Sequence, residues 1–209
     1  MKIETITVGP LAVNCYLTVD EQTSACLIID PGDDPQRVIS HVEQRGYQPQ
    51  KVLFTHGHID HVCRAARVIE HFEVPFYFGE HEKPIVDMLP VQAEWFNFEF
   101  IPLPSDYRPL SEGQTVTCGN VEFRVLHTPG HSPGSVCFYA PGTLLSGDVL
   151  FRDSIGRTDI YGGDMSALIH SIRSKIFTLP EETIVYPGHG PTTTVGWEKA
   201  HNPFVGQNA

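Results

Sequence analysis

The chain has 209 residues, 41% hydrophobic and 19% charged, with no long low-complexity tract, a composition that can bury a core and excludes general disorder. Its 14 Lys and Arg against 25 Asp and Glu leave a formal net charge of −11, which repels phosphate backbones and anionic lipid and argues against nucleic acid or membrane as partner. No run approaches the roughly 18 consecutive apolar residues of a membrane helix, and the opening Met1-Lys2-Ile3-Glu4-Thr5-Ile6 lacks the apolar block of a signal peptide; a cytoplasmic protein with one domain over residues 1–209 is expected.

β-Branched and apolar residues over 3–8, 13–19 and 25–29, parted by Gly9-Pro10 and Asp20-Glu21-Gln22, predict three strands begun by hairpins. Asp34 is placed to cap a helix with Pro35 at its first position, Val38, Ile39 and Val42 on one face and Gly46 as its stop. A short buried strand over 51–54, a helix over 61–72, a strand over 75–78 and a helix over 80–88 follow. Prolines 102, 104 and 109 predict an irregular connection over 97–110, and the adjacent Trp95, Phe96 and Phe98 are expected in the core. Strand character returns over 115–117, 121–126, 135–139 and 143–145. Met165, Leu168, Ile169, Ile172 and Ile176 then recur at helical spacing behind a capping Asp164, and residues 183–186 make a closing strand. This succession predicts an α/β fold of two mixed sheets with helices on their outer faces.

Cys15, Cys26, Cys63, Cys118 and Cys137 are scattered, without a CxxC pair, and are expected to be buried free thiols. Histidine is the unusual residue, 11 in all. In Thr55-His56-Gly57-His58-Ile59-Asp60-His61, directly after a predicted strand, residues two apart in extended chain face the same way, so His56 and His58 can aim at one point. Asp60 and His61 turn toward a neighbouring point as a helix begins. Imidazole and carboxylate are ligands for zinc, iron or manganese, and this run is enough to begin two adjacent metal sites. Three later Gly/Pro-rich strand ends each carry a further ligand-type residue: His127-Thr128-Pro129-Gly130-His131, Ser146-Gly147-Asp148 and Tyr186-Pro187-Gly188-His189-Gly190.

Taken in this order, the motifs resemble the metallo-β-lactamase superfamily, and most of all its glyoxalase II (hydroxyacylglutathione hydrolase) branch in the short bacterial form. The resemblance implies an αββα sandwich. It puts His56, His58 and His131 on a first metal and Asp60, His61 and His189 on a second, with Asp148 bridging. It further implies two divalent ions per chain, zinc first and iron or manganese as alternatives, holding a water between them, lowering its pKa and polarising a substrate carbonyl. Asp60 is the candidate to orient that water and receive its proton.

The implied reaction is hydrolysis of a small thioester such as S-lactoylglutathione, whose thiolate leaves with little need of an acid. Alternatives are a mononuclear iron persulfide dioxygenase, or a lactone or other ester hydrolase of the same superfamily. Asn14-Cys15-Tyr16 matches a run found near the metals in this family. Arg152 and Arg157 follow the bridging position in a loop that resembles the substrate-side loop; either can meet an anionic substrate or pair with Asp153 and Asp159. Only 20 residues follow His189, so the C-terminal helical glutathione-binding domain of the long glyoxalase II enzymes is expected to be absent. His127 is expected to be satisfied by backbone, and His41, His71, His81, His170 and His201 to lie on the surface. Nothing in the residue pattern sets an oligomeric state.

Overall fold

A computed structural model of the chain describes residues 1–104 and 106–207. Ser105, within the expected irregular connection, and Asn208 and Ala209, at the end of the expected domain, lie outside the described residues.

One six-stranded sheet is ordered β1 (Lys2–Val8), β2 (Val13–Val19), β3 (Ala25–Ile29), β4 (Gln48–Leu53), β5 (Phe76–Gly79) and β6 (Arg108–Leu110). Its first three strands are antiparallel, as hairpins require, and β3 to β6 are parallel. The parallel pairs need crossovers, which α1 (Pro35–Arg45), α2 (Ile59–Val62), α3 (Ala65–Phe72), α4 (Lys83–Val86) and α5 (Leu89–Phe96) supply. The second six-stranded sheet takes β7 (Thr115–Cys118), β8 (Val121–His127), β9 (Val136–Ala140) and β10 (Thr143–Gly147), then β13 (Ile184–Pro187) parallel to β10, and β14 (Thr193–Thr194) at its edge. A two-stranded ribbon, β11 (Leu150–Phe151) with β12 (Ser154–Ile155), precedes α6 (Met165–Ser171), and α7 (Val195–His201) follows β14.

The period-2 alternation of strands sorts the core into three apolar layers. Along β3, Cys26 and Ile28 face α1 and α3, while Leu27 and Ile29 pack with Phe123, Val125 and Phe138 of the other sheet. On the far side, Leu126 and Leu144 pack with Leu168, Ile172 and Val195. Helices therefore cover the outer faces of two packed sheets, the αββα arrangement that the motifs implied. All five cysteines are buried free thiols. No described helix is long and apolar enough to cross a membrane.

Several local expectations are corrected. Asp34 is not a side-chain cap: it sits in the left-handed region at φ 51, and its Oδ2 instead accepts from the Gly9 N–H at 3.2 Å. The helix expected over 61–72 begins earlier, at Ile59, and breaks at Arg64, whose N–H is drawn to Gly32 O at 3.0 Å. The helix expected over 80–88 shrinks to α4, and a second helix that was not expected, α5, follows it; Pro84 and Pro90 each occupy a first turn, where a missing N–H costs nothing. The connection over 97–110 contains β6, an edge strand in which Pro109 is tolerated because only one side of it pairs. Trp95 and Phe96 are not core; they are 63% and 54% exposed, and only Phe98 of the three packs against the core. The helix behind Asp164, whose side chain accepts from Ala167 N at 2.9 Å, turns into a π-helical segment over Ile172–Ile176 that keeps both isoleucines buried.

Candidate metal centre

The ligand-type residues leave the ends of β4, β8, β10 and β13. Because β10 and β13 run parallel with Gly147 opposite Pro187, Asp148, one residue further, and His189, two residues further, emerge at the same sheet end. The sheets are tied there by Val136 N donating to Thr55 O at 2.9 Å and Asn14 N donating to Gly188 O at 2.7 Å. The Asn14 side chain also donates to Pro187 O at 3.0 Å and Gly190 O at 2.8 Å, and the Tyr16 hydroxyl to Pro187 O at 2.7 Å. The Asn14-Cys15-Tyr16 run thus clamps the loop carrying His189 from an interior strand.

All seven expected residues come together. Three groups each offer ligand atoms within 4.8 Å of one another: His56 with His58 and His131, His56 with His61 and Asp148, and Asp60 with His61 and His189. Asp148 lies between the two triads, its Oδ1 3.5 Å from His61 Nε2 and its Oδ2 3.7 Å from His131 Nε2 and 3.6 Å from His189 Nε2. This closeness depends on Gly188, since a Cβ there would meet Asp148 Oδ1 at 2.1 Å and His61 Cε1 at 2.8 Å.

Proton positions show why the cluster suits a cation. His131 Nδ1 is 2.8 Å from Arg157 O and His189 Nδ1 is 3.0 Å from Leu11 O; a carbonyl only accepts, so both rings carry their proton on Nδ1. Thr55 Oγ1 donates to Asp30 Oδ2 at 2.6 Å and so accepts from His56 Nδ1 at 3.0 Å. The Nε2 atoms of His131 and His56, 3.3 Å apart, are therefore facing lone pairs in the neutral rings, and His58 Nδ1 points into the same space, 2.9 Å from His131 Nε2. The two facing lone pairs of His56 and His131 repel, and a positive ion among the three nitrogens would relieve them. His61 Nε2 and Asp148 Oδ1 are buried without a hydrogen-bond partner, which a bound metal would satisfy. His61 Nδ1 lies 3.1 Å from Asp30 Oδ2 but off the hydrogen-bond direction.

Ionisation follows the same geometry. Burial, then the neighbouring imidazoles, hold His56 well below the usual histidine value, and burial with His131 takes His58 down to about 3; both stay neutral, as metal ligation requires. Burial opposes ionisation of Asp148 and Asp60, but His61 and the other histidines outweigh it and keep both carboxyls below their ordinary value. Burial also disfavours charge on His61, yet Asp60, Asp148 and Asp30 raise it.

Residue-by-residue reading missed the supports around this cluster. Glu82 is fully buried and accepts from Gly57 N at 2.7 Å, Ser132 Oγ at 2.8 Å and Gly134 N at 2.7 Å, joining the loop of His56 and His58 to that of His131. Gln92 accepts from Ile59 N at 3.0 Å, and Asp30 holds both Thr55 N and Thr55 Oγ1. The only available signal for Asp30 was its place at a strand end before Pro31-Gly32.

Arg157 lines the cleft over the cluster but pairs through Nε and Nη2 with Asp159 at 2.8 and 3.1 Å. Arg152 lines an adjoining cleft, 3.9 Å from Asp153 Oδ2 and over the Trp197 ring. His127 is held by Pro133 O at 2.9 Å. His41 and His71 pair with Glu4 and Glu43, and His201 stacks on Trp197.

Residues 8–189 match the model of the metallo-beta-lactamase superfamily. The hydroxyacylglutathione hydrolase GloC of Haemophilus influenzae is 39% identical over 210 residues, covering 98% of each chain. Among solved structures, BLEG-1 B3 metallo-beta-lactamase is similar at a TM-score of 0.90 and 39% identity, covering 98% of this chain and 99% of that one. TTHA1623, solved in a di-iron-bound form, is similar at a TM-score of 0.89 and 40% identity, covering 96% and 99%. With the αββα sandwich and the His/Asp cluster already in place, these likenesses make the chain a member of the metallo-beta-lactamase superfamily, a family of metal-dependent hydrolases.

Proposed function

We propose that the protein is a thioester hydrolase of the glyoxalase II type, with S-lactoylglutathione as its first named substrate. The observation that carries this reading is the convergence on Asp148 of His131 from one triad and of His61 and His189 from the other, at the floor of one cleft. The likeness to the hydroxyacylglutathione hydrolase of Haemophilus influenzae supports the substrate class.

We read His56, His58 and His131 as holding one divalent ion, Asp60, His61 and His189 as holding a second, and Asp148 as shared. The donor set accepts zinc, iron and manganese alike; zinc is our first assignment, and the di-iron form of TTHA1623 makes iron the next. Bound there, such ions polarise a carbonyl and bring the pKa of water toward neutrality. The chain's own contribution is orientation and proton transfer. Asp60 is an ionised carboxylate at the cleft, with Oδ2 3.2 Å from His189 Nε2, and is placed to take a proton from an attacking water. The Nδ1 bonds of His131 to Arg157 O and of His189 to Leu11 O fix these rings so that Nε2 faces the floor. A thiol, with a pKa of about 8.5, leaves as thiolate without a dedicated acid. Arg152 and Arg157 are the cations available to an anionic thiol half. A mononuclear iron persulfide dioxygenase would use only two histidines and a carboxylate of this same set, so metal stoichiometry and the reaction itself separate the two readings.

Release of free thiol from S-lactoylglutathione by the metal-loaded protein, against a His58→Ala control, tests the proposal. Turnover lost in the control supports it. No turnover above the control, together with oxygen uptake on glutathione persulfide, would replace it with the dioxygenase.

A further inference from the structure

The cleft above the cluster has a volume of about 470 Å³, the size of a small-ligand site. Its floor is polar, but its walls are not: Leu11 from the β1–β2 turn, Met88, Trp95 and Phe96 from the α4–α5 segment, and Ile160 and Tyr161 from the loop before α6. Leu11, Trp95, Phe96 and Tyr161 are 52%, 63%, 54% and 59% exposed. Three separate segments each spend a large exposed apolar side chain on the same opening, and such a patch beside a polar floor marks a binding site for an apolar group. The adjoining cleft shares His131, Asp148, Arg157 and His189 with the first and adds Arg152. The wall of exposed aromatic side chains thus belongs to the first cleft, while Arg157 borders both and Arg152 only the second.

We propose that the first cleft binds the acyl group of the thioester and selects an apolar acyl chain longer than lactoyl, with the anionic thiol half directed toward Arg152 and Arg157. This rests on the thioesterase reading above. A lactoyl group, with only a hydroxyethyl beyond its carbonyl, leaves the Trp95, Phe96 and Tyr161 wall uncovered, whereas each methylene buried there adds about fourfold in binding.

The test compares lactoyl, acetyl, butanoyl, hexanoyl and octanoyl thioesters of glutathione on the metal-loaded protein. The expected result is a kcat/KM for the hexanoyl thioester at least about tenfold above that for acetyl, with lactoyl near acetyl. The double variant Trp95→Ala, Phe96→Ala should cut the hexanoyl-to-acetyl ratio at least about fivefold, with circular dichroism showing an intact fold. A flat or falling series with lactoyl best overturns the inference and leaves the thioesterase standing. Absence of turnover on every thioester overturns the thioesterase, and calorimetry with the unreactive thioethers S-hexylglutathione and S-methylglutathione then decides the cleft alone. At least about tenfold tighter binding of the hexyl compound, lost in the double variant, keeps the apolar subsite; equal affinities refute it.

Discussion

Replacing Glu82 by glutamine changes almost no volume and puts a donor where an acceptor stood. The two carboxylate oxygens receive three donors: Gly57 N on Oε1, and Ser132 Oγ and Gly134 N on Oε2. A glutamine that keeps its oxygen on Gly57 aims its NH₂ at Ser132 Oγ, which can accept, and at Gly134 N, which cannot. One buried N–H is then left facing a donor, a loss of about 1–3 kcal/mol. Alanine strands both backbone N–H groups and leaves a cavity, while Ser132 still has Ser135 Oγ at 2.6 Å; its cost is about 3–5 kcal/mol. The expected order of stability is wild type, then Glu82→Gln, then Glu82→Ala, read as urea midpoints at unchanged m-value in a chelator, so that metal binding does not mask the difference.

The same residue gives a pH signature with a definite sign. Burial pushes the Glu82 carboxyl up from 4.5 to about 7, against the pull of its three donors. Below about 4.5 both the folded and unfolded chains hold the proton, and between about 4.5 and 7 only the folded chain does. This contribution is therefore fully present in acid and is lost as pH rises through 7, so the wild type's lead over Glu82→Gln should narrow between pH of about 5 and about 8. A Glu82→Gln unfolding free energy within about 0.5 kcal/mol of wild type, with a difference flat in pH, would refute both the acceptor geometry and the raised carboxyl.

Asp148→Asn keeps the shape of the proposed shared ligand but weakens its charge, and should lower bound metal per chain by elemental analysis and thiol release by more than about tenfold; two ions and near-normal turnover would count against sharing. Gly188→Ala places a Cβ where Asp148 Oδ1 now lies at 2.1 Å, and a displacement of about 1 Å at the floor should cost on the order of 100-fold in turnover; unchanged kinetics would show that the loop yields freely. Thr55→Val removes the hydroxyl that links Asp30 to His56 Nδ1, so chelator competition should show metal held about 10–100-fold more weakly, and equal affinity would deny that link a role.

How far the centre was readable from residues alone follows from the range of each interaction. His56, His58, Asp60 and His61 lie within six consecutive residues, so their spacing already implied two converging ligand sets, and the Gly/Pro strand ends at His131, Asp148 and His189 needed only a common edge to join them. The unbroken apolar run of β3 likewise fits a strand covered on both faces. Glu82 was invisible because it sits in a polar stretch that reads as a solvated helix, and its donors include Ser132 and Gly134, 50 and 52 residues away. Asp34 read as a cap because its type and place before Pro35 fit one; its left-handed backbone, with the side chain on Gly9, depends on the β1–β2 turn across the sheet. Trp95 and Phe96 misled in the opposite way, since apolarity predicts burial only where the chain supplies a partner, and α5, which begins afresh at Leu89 with Pro90 in its first turn, directs them to the rim of the cleft. Ligands to a shared ion must be few, polar and close, and so leave a local trace; what holds them in place, or meets a substrate beside them, is selected across the fold and leaves none.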